Sequence, residues 1–264
     1  MSADRLTTNQ LRSISMFPFK PAEAFAVNKD LNIEILTLEG TDNTVVIADE
    51  FYQNPDIVRD IILQTPYPVW KDQPDTRNFI DYYDCRQSQK IPYLEAQQAV
   101  KQIAEQFLHI QVHSPATFFN SNIFRLICDQ PKNSQAYPHD DGNLVTALVM
   151  LNTKQECSGG TAFYRSKKPL LDRMPADPTI HEAIHKTIFT EKNYETGSNY
   201  FMENYEQYWE VLGIVPMVYN RLLVYPGVMF HGAWHEHNSF KDYYRINQAM
   251  FIGDVTYDNK FWDK

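Results

Sequence analysis

The stretch Tyr137-Pro138-His139-Asp140-Asp141-Gly142 runs directly into Asn143-Leu144-Val145-Thr146-Ala147-Leu148-Val149-Met150-Leu151-Asn152. The second half is an apolar run that reads as a strand of a β-rich core. The first half sets His139 and Asp141 two residues apart. On an extended segment such side chains point the same way, so an imidazole nitrogen and a carboxylate oxygen can reach one metal ion. Taken alone, Pro138-His139-Asp140-Asp141-Gly142 is explained about as well by a surface turn.

Further short runs of the same kind surround it. Phe118 to Cys128, Asn143 to Leu151, Gly160 to Tyr164 after a Gly159-Gly160 turn, Arg221 to Tyr225, Val228 to His231 and Tyr244 to Ile252 each read as strands. Short strands between turn signals predict a sandwich or barrel. Upstream, Leu31 to Leu36 and Asn43 to Ile47 are strand-like. A helix should start at Asn54 and Pro55, with Ile57, Val58, Ile61 and Ile62 at helical spacing. A second amphipathic helix is predicted from Tyr93 to His109, and both should pack outside a sheet. The stretch 165–217 is long, polar and Tyr-rich, and reads as an insertion over one end of the sheet. Its Tyr194, Tyr200, Phe201, Tyr205, Tyr208 and Trp209 suggest a lid or substrate wall. The expected organisation is one domain over 1–264: N-terminal strands and helices over 1–115, a β core over 116–252 and a tail over 253–264.

Composition narrows the class. With 264 residues, 43% of them hydrophobic, the chain can bury a sizeable core. Aromatics at 14% suit a β-rich fold with a deep pocket. Lys and Arg number 24 against 33 Asp and Glu, a net −9, which argues against nucleic acid or an anionic membrane as partner. The three cysteines, Cys85, Cys128 and Cys157, are odd in number and widely spaced. That disfavours a disulfide framework and points to a reducing cytoplasm. Residues 1–20 hold no apolar signal region, and no run of about 18 apolar residues suggests a membrane span.

Two later residues sharpen the reading of His139 and Asp141. His231 ends an apolar stretch, Tyr225-Pro226-Gly227-Val228-Met229-Phe230-His231, and Arg245 follows it by 245−231 = 14 positions. Two histidines and one carboxylate hold one face of an Fe(II) ion and leave the other open for oxygen chemistry. An Arg nearby can clamp an organic acid through a bidentate pair. The bland readings are a strand-end histidine bonded to a backbone carbonyl and an Arg paired with one of the many acids.

The order of these pieces resembles the prolyl-4-hydroxylase-like branch of the Fe(II)/2-oxoglutarate-dependent dioxygenases. Asn143 to Asn152 followed by Ser158-Gly159-Gly160-Thr161-Ala162-Phe163 is similar to that family's central strands. Asn220 to His231 is similar to its next strands, and Asp49 to Arg59 to the entry segment of related oxygenases. The resemblance implies a mainly β fold with flanking helices around a double-stranded β-helix, or jelly-roll, core. It implies His139, Asp141 and His231 as ligands of Fe(II), and Arg245 as the group that binds the far carboxylate of 2-oxoglutarate. The activity it implies is oxidative decarboxylation of that acid to succinate and CO₂, coupled to hydroxylation of an amino acid, peptide or small metabolite. Asp141 favours hydroxylation, since related iron halogenases lack the carboxylate ligand. The chain departs from the family at Met150 and Ala249, where a Tyr and a Thr often help to hold the acid; Thr146 and Asn247 are the candidates to replace them. A non-catalytic β-helix binding module is the alternative.

One motif points elsewhere. His181-Glu182-Ala183-Ile184-His185 matches the H-E-x-x-H pattern of zinc proteases, in which two histidines on one helix face bind the metal and the Glu acts as base. Asp177-Pro178 just upstream reads as the start of a short polar helix. That placement favours an exposed helix over a buried catalytic one. His235 and His237 read as polar loop residues, and Cys128 and Cys157 as small buried apolar groups.

Overall fold

The computed structural model describes residues 21–64, 83–88, 94–113, 117–126, 128–175, 177–190 and 201–258. After a short helix α1 (Pro21–Ala24), strands β1 (Asn32–Thr37) and β2 (Thr44–Asp49) form a hairpin in register Asn32↔Asp49 to Thr37↔Thr44. Helix α2 (Pro55–Gln64) follows, with Pro55 at its first position, where its missing N–H costs nothing. Strand β3 (Tyr83–Ser88) precedes α3 (Leu94–Phe107), the predicted amphipathic helix, which buries Ala96, Val100, Ile103 and Ala104. Tyr93, Tyr194, Tyr200 and residues 1–20 lie outside the described residues.

The rest is almost all strand: β4 (Ile110–Val112), β5 (Thr117–Leu126), β6 (Ser134–Ala136), β7 (Val145–Met150), β8 (Gly160–Lys167) and β9 (Leu170–Leu171). Helix α4 (Pro178–Thr190) interrupts before β10 (Phe201–Glu203), β11 (Trp209–Pro216), β12 (Arg221–Pro226), β13 (His231–Trp234), β14 (Arg245–Ile252) and β15 (Val255–Tyr257). A seven-stranded sheet runs β1-β2-β12-β7-β14-β5-β3, all antiparallel. A smaller sheet runs β11-β8-β13 with β9 on β8.

Strand alternation decides what each face of the large sheet meets. Val46, Ala48, Ala147, Val149, Leu222 and Val224 join the buried face of α3 in one cluster. Their neighbours Val45, Ile47, Leu223 and Tyr225 point the other way, against Phe163, Leu212 and Val215 of the smaller sheet. Helices outside, two antiparallel sheets face to face and crossed connections between them make a double-stranded β-helix. Each fully buried Val, Leu, Ile or Phe stabilises the fold by roughly 1.5–3 kcal/mol, so the sandwich interior is the main source of rigidity. Among the described residues, no helix is long and apolar enough to cross a membrane.

The Gly159-Gly160 pair lets the smaller sheet close. Gly159 has φ +65°, and a Cβ there would stand 2.0 Å from the Trp234 carbonyl oxygen; one on Gly160 would stand 2.1 Å from that of Val215. Only glycine tolerates both demands.

Three expectations change. The stretch 165–217 is not all insertion. Trp209–Pro216 is a core strand that pairs along β8 from Trp209↔Ser166 to Pro216↔Gly160. It turns Glu210, Ile214 and Pro216 outward and is covered on one face only. Second, the predicted aromatic wall is largely core: Phe201, Tyr205 and Trp209 are buried, and Trp209 stacks edge-on against Phe230 at 5.1 Å. Third, Val228 to Phe230 precede a strand that begins only at His231.

Candidate metal centre

His139 and Asp141 sit on the segment between β6 and β7, and His231 opens β13. The two histidines meet through a backbone bridge: His139 N donates to His231 O at 2.9 Å and His231 N to His139 O at 2.8 Å. Asp141 N donates to Gly227 O at 2.8 Å. The ligand turn is therefore held by the main chain of the segment that carries the third ligand.

The side chains are set by contacts of the same local kind. His231 Nδ1 faces the Met229 carbonyl at 2.9 Å, and His139 Nδ1 faces that of Tyr137 at 3.2 Å. A carbonyl can only accept, so each Nδ1 carries the hydrogen, and Nε2 is the nitrogen left to face a metal once it gives up any proton shared with Asp141. Between them lies the Asp141 carboxylate, 3.2 Å from His231 Nε2 and 3.8 Å from His139 Nε2. Thr146 Oγ1 donates to Asp141 Oδ2 at 2.6 Å. One ligand atom from each of the three residues lies within 4.8 Å of the others. Donors about 2.1 Å from one ion and at right angles to each other stand about 3 Å apart, so the set fits one face of an octahedral metal. The described residues hold one such group of three.

The electrostatics agree. Burial pushes the Asp141 carboxyl up, but His231, His139 and the Thr146 hydroxyl outweigh it and hold it well below the usual carboxylate range. Burial pulls His231 down, and Asp141 with the Met229 carbonyl more than reverses this, raising it above an ordinary histidine. A permanently ionised carboxylate between two imidazoles is the donor chemistry that a divalent cation replaces protons in. About 45% of the His139 side chain is exposed against 6% for His231, so the open side of the centre lies toward His139.

The inner face of the barrel continues away from the triad. Arg245 opens β14 and is 3% exposed. Its Nη2 donates to Gly160 O at 3.2 Å, and its guanidinium lies 5.2 Å from the Phe124 ring centre. Asn247 lies two residues on, on the same face, with a buried Oδ1 that finds no hydrogen-bond partner among the described residues. Tyr225 Oη and Thr161 Oγ1 are buried and unpartnered in the same sense, and their strand neighbours place both on this inner face. Burial raises the Tyr225 phenol well above its usual range, Asp141 pushes it further up and Arg245 opposes; its ring lies 4.8 Å from that of His231. Buried polar atoms are nearly always bonded, so the two unbonded hydroxyls, which can donate, beside an arginine fit an anionic, oxygen-rich ligand. Sequence reasoning missed Tyr225 and Thr161; their signal was alternation from Leu223 and Phe163.

Of the predicted site residues, His139, Asp141 and His231 come together. Thr146 reaches Asp141, and Arg245 and Asn247 share the deeper inner face. Met150 stands opposite Asn247 and packs in a separate cluster with Met217 and Phe240. The H-E-x-x-H histidines lie on α4 with rings 6.1 Å apart, Glu182 is exposed, and His181 Nε2 meets Asp140 Oδ2 at 3.3 Å. His235 is buried in a box of Phe124, Phe201 and Phe240 rings, not set out on a polar loop surface. Clefts of about 600 Å³ beside Arg173 and about 590 Å³ beside His109 are lined by neither the triad nor Arg245. Donor chemistry, not cleft size, marks the centre.

Fold and centre together define a double-stranded β-helix protein with a two-histidine, one-carboxylate triad that could hold a metal. The chain belongs to the family described as "Family of unknown function (DUF6445)", which matches residues 29–242. No curated protein matches it. Among solved structures it is similar to the non-heme alpha ketoglutarate dependent epimerase SnoN from nogalamycin biosynthesis, at 13% identity and TM-score 0.43, covering 82% of this chain and 79% of that one. HygX from Streptomyces hygroscopicus, with nickel and 2-oxoglutarate bound, is similar at 10% identity and TM-score 0.36, over 96% and 88%. A prolyl 4-hydroxylase structure from Phytophthora capsici is similar at 10% and 0.37, over 83% and 60%.

Proposed function

We propose that this protein is a non-haem Fe(II)- and 2-oxoglutarate-dependent dioxygenase that hydroxylates an amino acid, a peptide or a small metabolite. The observation that carries the proposal is the approach of ligand atoms of His139, Asp141 and His231 to within 4.8 Å of one another, with both Nδ1 atoms facing backbone carbonyls. When bound there, Fe(II) supplies oxygen activation coupled to oxidation of the 2-oxo acid.

The chain's own residues have separable tasks in this reading. His139, Asp141 and His231 hold one face of the metal and leave the other face free. Thr146 fixes the Asp141 carboxylate by a charge-assisted hydrogen bond. Arg245, desolvated inside the barrel, binds the far carboxylate of the acid, with Tyr225, Asn247 and Thr161 as candidate neighbours for its oxygens. The exposed side of His139 is where the substrate approaches. The odd number and wide spacing of the cysteines in the sequence are in keeping with a cytoplasmic setting for such an enzyme.

The test is succinate formation from 2-oxoglutarate with ferrous iron. The wild-type chain should form succinate, and Asp141→Ala and His231→Ala should each abolish it. Turnover that survives both substitutions sinks the assignment. Metal binding without any succinate would leave a β-helix binding module instead.

A further inference from the structure

The middle residue of the His-x-Asp segment is itself acidic, and alternation turns it away from the metal side. The Asp140 side chain is only 4% exposed. Its Oδ2 accepts the Gly142 N–H at 3.0 Å and meets His181 Nε2 at 3.3 Å, while Oδ1 finds no hydrogen-bond partner among the described residues. A buried carboxylate with so few donors depends heavily on each one, because an unpaired charge in the interior is expensive.

His181 belongs to α4, and α4 is anchored near the centre on both sides. Before it, Met174 N donates to Val228 O at 2.7 Å and Arg173 bridges Met229, just ahead of His231. After it, β10 pairs with β6, the strand that leads to His139. The helix starts on a side-chain cap, Thr179 N donating to Asp177 Oδ1 at 2.9 Å, and Ile188 is buried near its end. His181 thus projects from a fixed support onto the residue between two ligands.

We infer that His181 is a positioning residue: by holding Asp140 it keeps the His139–Asp141 turn in the orientation that presents both side chains to a metal. The inference rests on the reading of His139, Asp141 and His231 as a metal centre. It also gives the H-E-x-x-H motif a task without zinc, one in which Glu182 has no part.

The test is titration with Co(II), read from its visible absorption, on the full chain. His181→Ala should weaken binding about tenfold, the lower end of what residues supporting metal ligands contribute. His181→Gln keeps an N–H near the place of Nε2 and should recover most of that loss. Asp140→Ala should weaken binding by a similar factor, and the Asp140→Ala/His181→Ala double variant no further, since both act through one contact. Glu182→Ala should leave affinity unchanged. Wild-type affinity in His181→Ala, a Gln variant no better than Ala, or losses that multiply in the double variant would each overturn the inference while the metal centre stands. Failure of the wild-type chain to take up Co(II) overturns the metal centre itself.

Discussion

The two halves of the barrel's inner face treat their polar groups in opposite ways. Around the triad nearly every polar atom is engaged: both Nδ1 atoms on carbonyls, the carboxylate on Thr146 and His231, the two ligand segments on each other's backbone. Around Arg245, hydroxyl and amide atoms of Tyr225, Thr161 and Asn247 are buried without hydrogen-bond partners among the described residues. The difference teaches where each half gets its order. The triad is preorganised by the protein and is ready for an ion. The Arg245 half carries the unsatisfied hydroxyls of Tyr225 and Thr161, which could donate to a ligand's oxygens, so its order depends on binding.

Substitutions can break this contrast. The largest effect is expected from Arg245→Met, which should raise the 2-oxoglutarate KM by roughly a hundredfold, as loss of a buried charge-assisted pair does. Co(II) affinity should stay near wild type, and a parallel loss of metal would show that the halves are not separate. Thr146→Val comes next: removing the hydroxyl from Asp141 should lower metal affinity about tenfold with little change in overall shape, measured by the same titration. The smallest effect is Tyr225→Phe. Deleting a hydroxyl that lacks a partner should stabilise the ligand-free chain by about 1 kcal/mol in urea unfolding, yet raise the 2-oxoglutarate KM a few-fold. A Phe variant that is destabilised without ligand would place a partner on that hydroxyl and remove the contrast at this position.

The same contrast explains what could be read from the sequence. The triad's geometry follows from local rules: alternation across His139 and Asp141, and His231 at the start of a strand. The apolar runs likewise gave β7, β12 and β14 within a residue or two. The polar groups of the Arg245 half come from three strands, β8, β12 and β14, whose register no local pattern states, so the sequence did not mark Tyr225 and Thr161. Trp209–Pro216 was hidden because it follows the polar, Tyr-rich run before it and its apolar residues are interrupted by Glu210 and Gly213. The link between His181 and Asp140 joins residues 181−140 = 41 positions apart that only the tertiary fold brings together.

The backbone bridge between His139 and His231 spans 231−139 = 92 positions. A contact so distant along the chain costs loop-closure entropy that the surrounding strand pairings must offset. A partly folded chain therefore has no centre to offer. Any ion that binds here recognises the finished barrel alone, and its full binding free energy appears as resistance to unfolding that grows with ion concentration.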